Sequence, residues 1–303
     1  MPQTNVMRIG AIGADSSHLP EFSKRIKALH EEGQTRCRVT HVLDPGGHDL
    51  AEAPKWLEKT KAEFGVEQVG SIDELLGKVD GVMVLSVNGH KHLNLALPSL
   101  ARGLPTYVDK PLTCDLGQAR ELLAAARKGG ARCYSASSLR FAPEVTDYDR
   151  APLGNLVAID AFGPGPHHKL MEGFFYYGVH TIEMVDALWG RSGGDVRRVS
   201  AVHLDDRDLL DLDYRDGRYA RLRTERKGTG AFGGTVHGDK QVYQFKVDFG
   251  PVYMRLVQGM TRWFEGGPAP AELRDIVENV AVMEAGNASM KQDGKWVDVP
   301  VIE

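Results

Sequence analysis

The sequence predicts an α/β protein in two parts: a doubly wound parallel sheet over residues 1–137, and an α+β domain with an open, largely antiparallel sheet over residues 138–303. Three observations lead there. The first half alternates short apolar runs with helix-period patterns, which marks strand–helix–strand units. The second half places several strand-like runs in a row before two helices close it, as α+β domains do. At 303 residues and 33.3 kDa, the chain also exceeds what one hydrophobic core usually serves.

In order, Arg8–Ile12 (RIGAI) reads as a buried strand, and a helix follows with Leu19, Phe22, Ile26 and Leu29 on one face. Arg38–Leu43 is a second strand ending at Asp44, where Pro45-Gly46-Gly47 breaks the chain. A helix around Trp56–Phe64 leads to the short strand Glu67–Val69. Ser71 and Glu74 make a capping box, because a serine three residues ahead of a glutamate can exchange hydrogen bonds with it at a helix start. Gly81–Ser86 (GVMVLS) has the continuous apolar character of a strand buried on both faces. The helix through Leu93–Ala101 leads to strand Thr106–Val108. Asp115 and Gln118 then open a long helix carrying Leu116, Ala119, Leu122, Leu123 and Ala126.

Past residue 137 the strand-like runs are Leu156–Phe162, Val196–His203, Asp211–Tyr214, Tyr219–Arg223 and Val242–Phe249. Asp216-Gly217 is a hairpin signal between two of them. Of the two late helices, one carries Tyr253, Leu256, Val257, Met260, Trp263 and Phe264, and the other Leu273, Ile276, Val277, Val280 and Met283. No repeat or low-complexity linker interrupts the chain.

Composition narrows the function classes. Lys plus Arg number 37 and Asp plus Glu 41, for a formal charge of −4, so no global basic footprint invites nucleic acid. With 42% hydrophobic and 26% charged residues, the chain has an ordinary globular balance. No run approaches the ~18 apolar residues of a membrane span, and MPQTNVMRIG lacks the pattern of a signal peptide. Cys37, Cys114 and Cys133 make neither a disulfide framework nor a recognisable metal site. The expectation is a cytoplasmic protein with a small-molecule partner, no nucleic acid and no membrane.

The first strand runs into Gly10-Ala-Ile-Gly13-Ala-Asp15-Ser-Ser-His18. A dinucleotide fingerprint, GxGxxG starting at Gly13, would have glycines where Asp15 and His18 stand. Asp15 can instead cap the following helix and fill the anion position of a phosphate. Two unit charges ~5 Å apart at an effective dielectric near 20 repel by roughly 3 kcal/mol, so a phosphate there needs Asp15 to turn away. Ser16, Ser17 and the helix N-terminal amides stay available to a phosphate. Asp44, at the end of strand two, sits where an acid accepts hydrogen bonds from an adenosine ribose, and it would repel a 2′-phosphate. It is equally placed to act as a plain turn-forming aspartate before Pro45.

Ser86-Val87-Asn88 with His90 and His92, then Gly103-Leu-Pro-Thr-Tyr-Val-Asp109-Lys110-Pro111-Leu112, resemble the Gfo/Idh/MocA family of glucose–fructose oxidoreductase and inositol dehydrogenase relatives. That family carries TPN-x-x-H followed by an EKP motif at about this spacing. Leu139-Arg140-Phe141-Ala-Pro143 resembles its R-F-x-P segment, and Tyr176-Tyr-Gly178-Val-His180-Thr-Ile-Glu183 its D-x-G-x-H-x-x-D motif. His237-Gly238-Asp239-Lys240 and the closing run through Glu284, Ser289 and Val297–Pro300 continue the likeness, which covers nearly the whole chain in order. The resemblance implies a Rossmann domain, an open-sheet domain that packs against a partner subunit in a homodimer or homotetramer, and hydride exchange between NAD and a sugar, cyclitol or related polyol. NADP is disfavoured by Asp44.

By the same resemblance, Lys110, His180 and Tyr176 are the catalytic candidates. Lys110 would be the cation near a developing oxyanion and His180 the acid/base, since imidazole titrates in the right range. Gly13, Asp15, Ser16, Ser17, His18, Asp44, Ser86, Asn88, His92, Asp109 and Lys110 are the cofactor-binding candidates. Lys110, Arg140, His167, His168, Tyr177 and His180 are those for substrate. Two departures stand out: Tyr176 replaces a carboxylate that would raise the basicity of His180, and Glu183 replaces an aspartate. No metal is expected, because His167, His168, His180 and Glu183 lack recognisable ligand spacing. The arginine run Arg218, Arg221, Arg223 and Arg226 with Lys227 reads as a solvated sheet face. The rival readings are a redox-inactive relative acting as a lyase or isomerase, and a sugar- or nucleotide-binding sensor.

Overall fold

The computed structural model describes residues 5–190 and 195–303. Residues 1–4, part of the stretch in which no signal peptide is read, lie outside the described residues. The chain falls into two compact units, one of Met1–Thr113, Gln118–Ser135 and Leu256–Pro270, the other of Cys114–Gly117, Ala136–Arg255 and Ala271–Glu303.

The first unit holds a parallel sheet of β1 (Met7–Ile12), β2 (Cys37–Leu43), β3 (Glu67–Val69), β4 (Gly81–Val84), β5 (Thr106–Val108) and β6 (Cys133–Tyr134), in the spatial order β3-β2-β1-β4-β5-β6. Helices α1 (His18–Glu31), α2 (Ala53–Phe64), α3 (Ile72–Leu76), α4 (His92–Ala101) and α5 (Leu116–Gly129) connect the strands. The chain winds outward from β1 to β3, then resumes at β4 on the other side, so the carboxyl ends of β1 and β4 meet at the topological switch point. All of β4 is buried, as its unbroken apolar run predicts. The capping box forms with a shift: Ser71 Oγ accepts from Glu74 N–H at 3.2 Å, while Glu74 Oε2 accepts from Gly70 N–H at 3.0 Å.

The second unit holds α6 (Pro143–Thr146), β7 (Leu156–Pro164), α7 (Gly178–Trp189), β8 (Val196–Leu204), β9 (Arg207–Tyr214), β10 (Tyr219–Glu225), β11 (Gly233–Gly238) and β12 (Val242–Lys246). The last elements are α8 (Val252–Phe264), α9 (Leu273–Met290) and β13 (Val297–Asp298). The sheet order is β12-β11-β7-β10-β9-β8-β13, antiparallel except where β7 runs parallel to β10. Asp216-Gly217 turns β9 into β10 as read from sequence. Along β9 burial alternates residue by residue, with Leu210 and Leu212 buried and Leu210 reaching Gly286 of α9. The arginine run lies as expected on a charged strand, with Arg221 paired to Asp211 at 2.6 Å and Arg223 to Glu225 at 2.8 Å.

Two elements depart from the sequence reading. β11 is glycine-rich and carries no strand signal, yet Gly233 and Gly234 let it pass close to its neighbours. A Cβ on Gly233 would lie 2.6 Å from Phe245 O, and one on Gly234 2.5 Å from Asp160 O. The other is Leu256–Pro270, which joins the first unit although it falls within the expected second domain. Trp263 tilts against Tyr134 with ring centroids 5.5 Å apart and lies under the Arg132 guanidinium at 5.0 Å. Phe264 fills the space that Gly81 leaves, 2.9 Å from where a Cβ would be. Their aromatic area is buried in the parallel-sheet unit, which a sequence boundary cannot show.

Candidate functional site

The β1–α1 loop is shaped by one glycine and one acid. Gly13 has φ +99°, and a Cβ there would come within 2.7 Å of Ser86 N at the end of β4. Asp15 is buried, and its carboxylate accepts from Val87 N–H at 3.3 Å and from Ser86 Oγ–H at 3.4 Å. This corrects the expectation that Asp15 caps α1. The residue at the cap is Ser17, with no side-chain bond, and the unpaired donors after β4 draw the acid across the loop. Asp15 has therefore turned away from the anion position. Among the described residues, the backbone N–H groups of Ala14, Asp15, Ser16 and Ser17 donate to no protein acceptor. A run of unpaired amides above a glycine fits a pyrophosphate. Further along, His18 N–H bonds Ser16 Oγ at 3.1 Å, Leu19 N–H bonds Ser16 O at 3.2 Å, and Pro20 has no N–H to offer.

His18 reaches the end of β5, where its Nδ1 lies 2.5 Å from Asp109 Oδ2 while its ring stacks on Phe22. The other Asp109 oxygen accepts from Lys110 N–H at 2.9 Å and from Tyr107 Oη–H at 3.4 Å. Burial works to raise the Asp109 carboxyl, but the facing His18 and the adjacent Lys110 outweigh it and hold this acid below its ordinary range. Asp109 thus fixes the backbone that presents the half-buried Lys110.

His92 corrects another expectation. It is fully buried, with Nε2 at 2.7 Å from Ser86 O and Nδ1 at 2.8 Å from Pro111 O. Both nitrogens face backbone carbonyls, so this histidine ties the end of β4 to the Lys110–Pro111 turn and offers no nitrogen to a ligand. His90 is exposed. Asn88 caps the turn before α4, its Oδ1 accepting from His90 N–H at 3.1 Å. Asp44 performs the turn role, Oδ1 accepting from Gly46 N–H at 3.0 Å and meeting His48 Nε2 at 2.8 Å.

The second unit gathers its candidates around the start of α7. Gly178 lets this helix start against Phe174, whose ring would lie 2.8 Å from a Cβ there. Asn287 of α9 clamps the preceding loop, accepting from Phe174 N–H and donating to Glu172 O, each at 3.1 Å. His180 is buried, with Nδ1 2.7 Å from Ser137 Oγ. A chain of rings runs from it: His180–Tyr177 at 5.1 Å, Tyr177–Tyr176 at 5.1 Å and Tyr176–His168 at 4.5 Å. Burial, with Tyr177 beside it, pushes the Tyr176 phenol above its ordinary range, so it holds its proton.

Of the remaining substrate candidates, His168 joins this group and His167 does not. The Nε2 of His167 lies 3.2 Å from Asp208 Oδ2 and 3.0 Å from Arg226 Nη1, while His203 Nδ1 lies 2.6 Å from Asp208 Oδ1. These two histidines and Asp208 have ligand-like spacing, but Arg226 Nη1, 2.8 Å from Asp208, already sits among them as the cation. Arg140 is another correction. Its guanidinium turns into α7, donating to Asp186 Oδ2 at 2.5 Å and to Glu183 O at 3.3 Å, because buried carboxylates compete for it. Sequence reasoning missed Ser137 and Asn287. The lost carboxylate at position 176 was the available signal that His180 needs another partner.

Residues 7–137 match the family described as an oxidoreductase family with an NAD-binding Rossmann fold, GFO_IDH_MocA. An inositol 2-dehydrogenase of Arthrobacter sp. (strain FB24) is 28% identical over 158 residues, which are 51% of this chain and 42% of that protein. The chain spans about half the length of the curated relatives it matches. Among solved structures, GenD2 of gentamicin A biosynthesis, in complex with NAD, superposes with TM-score 0.82 at 18% identity, covering 98% of this chain and 97% of that one. The WlbA dehydrogenase of Bordetella pertussis, in complex with NADH and UDP-GlcNAcA, gives TM-score 0.80 at 16% identity, covering 99% of each chain. At these identities the structures establish a shared fold. Among the described residues, no helix is long and apolar enough to cross a membrane.

Proposed function

We propose that this chain, whose residues 7–137 match the Gfo/Idh/MocA oxidoreductase family, is an NAD-dependent dehydrogenase of a sugar, cyclitol or related polyol. The observation that carries the reading is the β1–α1 loop: unpaired amides over Gly13, with the Asp15 carboxylate folded back onto the end of β4. NAD, when bound, supplies the acceptor for a hydride from the substrate carbinol. Gly13, Ser16 and Ser17 would hold its pyrophosphate, and Asp44 its ribose. Lys110 and His180 would share hydrogen bonding and proton transfer at the substrate oxygen. The inositol and nucleotide-sugar ligands named for the relatives support the substrate class. Self-association through the open sheet, where Val157, Val202 and Leu204 are exposed, belongs to the same reading; a monomer in light scattering would remove that part.

The test is a titration with NADH and with NADPH, followed by nicotinamide fluorescence. Micromolar NADH binding is expected, with NADPH at least about tenfold weaker because Asp44 opposes a 2′-phosphate, a difference of about 1.4 kcal/mol. Lys110→Ala and His180→Ala should keep NADH affinity and lose turnover in a polyol screen. Absence of binding to either nucleotide would shift the reading to a redox-inactive lyase or sensor.

A further inference from the structure

We infer that Ser137 holds the neutral His180 side chain in the tautomer whose proton sits on Nε2, so that this imidazole acts as a hydrogen-bond donor through Nε2. The groups around Ser137 leave little choice. Its hydroxyl is fully buried, 2.7 Å from His180 Nδ1. Oγ already accepts the N–H of Leu139 at 3.1 Å, and the serine's own N–H donates to Glu183 Oε2 at 2.8 Å. Among the described residues, the hydroxyl proton has no acceptor besides His180 Nδ1.

A hydroxyl has one proton to donate and two lone pairs. With a bare Nδ1, the proton goes to that nitrogen, Oγ accepts from Leu139, and each group is satisfied. With a protonated Nδ1, Oγ would accept twice while its own proton stayed buried without a partner, a penalised arrangement. The ring has little freedom to escape this choice. Tyr177 and Phe232 meet it edge-on, at 5.1 and 6.0 Å. Ser137 is likewise anchored, because the carboxylate it donates to also lies 3.8 Å from Arg140 Nε.

The substitution at position 176 gives the arrangement its meaning. A carboxylate beside His180 would accept an Nδ1–H; this chain has Tyr176, whose ring packs on His168 and Tyr177. A serine hydroxyl with a proton to place favours the opposite tautomer. Ser137 is thus a positioning residue that acts through His180. Under the dehydrogenase reading, on which this consequence rests, a neutral His180 would hydrogen-bond the substrate oxygen through Nε2–H, and the hydroxyl proton would pass to Lys110 as its neutral amine.

Long-range proton–nitrogen correlation on the full-length protein with 15N-labelled histidine tests the tautomer directly. The chain has 11 histidines, and His180→Gln assigns the signal by its loss. At a pH where the ring is neutral, Nδ1 should resonate as a pyridine-type and Nε2 as a pyrrole-type nitrogen. Ser137→Ala should move the two resonances toward each other as the tautomers mix, and Ser137→Thr, which keeps the hydroxyl, should restore them. A pyrrole-type Nδ1 in the unaltered protein overturns the inference, as does an unchanged His180 pattern in folded Ser137→Ala. If Ser137→Ala does not fold, the unaltered protein still decides. No nucleotide is needed, so an Nε2–H tautomer in a protein that binds no NADH would support this inference while removing the dehydrogenase reading.

Discussion

Buried polar side chains are spent differently in the two units. In the first, those around the candidate loop bond largely to backbone: His92 to the carbonyls of Ser86 and Pro111, Asp15 to Val87 N–H, Asp109 to Lys110 N–H. In the second, Asn287 and Glu278 likewise bond to backbone, but around His180 and Asp208 side chain meets side chain: Ser137 with His180, Arg140 with Asp186, and His203 and Arg226 with Asp208. Backbone partners persist whatever the neighbouring residue types are, so the first unit is a fixed cradle. Side-chain partners can be exchanged by single substitutions. The second unit is where the chemistry of a site can be altered while the fold stays.

The largest test of this contrast is Trp263→Ala. Removing a fully buried indole costs about 3–5 kcal/mol. At roughly 2–4 °C per kcal/mol, the melting temperature should fall by about 6–20 °C. Hydrogen exchange should show the loss in β5 and β6 and leave β8 to β10 protected. A fall shared evenly by both sheets would mean that the units do not behave as separate bodies of packing.

Next is Gly13→Ala, which places a methyl at positive φ and against Ser86 N. The strain is worth about 1–3 kcal/mol. Because it falls on the cradle itself, NADH affinity should weaken at least about tenfold in fluorescence titration. Unchanged affinity would show that the β1–α1 loop is softer than its backbone bonds imply.

The smallest effect has the opposite sign and belongs to the second unit. Burial, reinforced by Asp186, pushes the Asp275 carboxyl up to about 6, and burial takes Glu278 to about 6 as well. A carboxyl raised in the folded state binds its proton more tightly there than in the unfolded chain, whose value is about 3.9. Its stabilising contribution is therefore greatest below about pH 4, declines as pH rises to about 6, and is absent above. Asp275→Asn should add about 1–2 kcal/mol at pH 8, allowing for partial solvent screening, and nothing near pH 4. Denaturant melts at both pH values check this, and equal gains at both would remove burial of charge as the cause.

Much of this arrangement is legible in the residues. The unbroken apolar run of β4, the period of α1 and the Ser71–Glu74 cap are local patterns, and local physics decides them. What is not legible depends on partners distant in sequence. Asp15 reads as a helix cap until the donors at Ser86 and Val87 are brought beside it. Ser137 sits in a run of small polar residues with nothing to distinguish it, and only the fold sets it against His180, 43 positions away. Strand β11 has little intrinsic preference to form, and its glycines make sense only once β7 and β12 flank it.

The return of Leu256–Pro270 to the parallel-sheet unit bears on how such a protein can be cut or recombined. A gene fragment ending near codon 137 would encode every strand of the first sheet and still leave out Trp263 and Phe264, exposing the apolar surface around Tyr134 and Gly81. Chimeras that exchange everything after residue 137 between relatives would inherit a foreign aromatic plug for the parallel-sheet unit. Viable crossovers should therefore exchange the stretch encoding residues 256–270 together with the amino-terminal segment, even though some 120 codons lie between them.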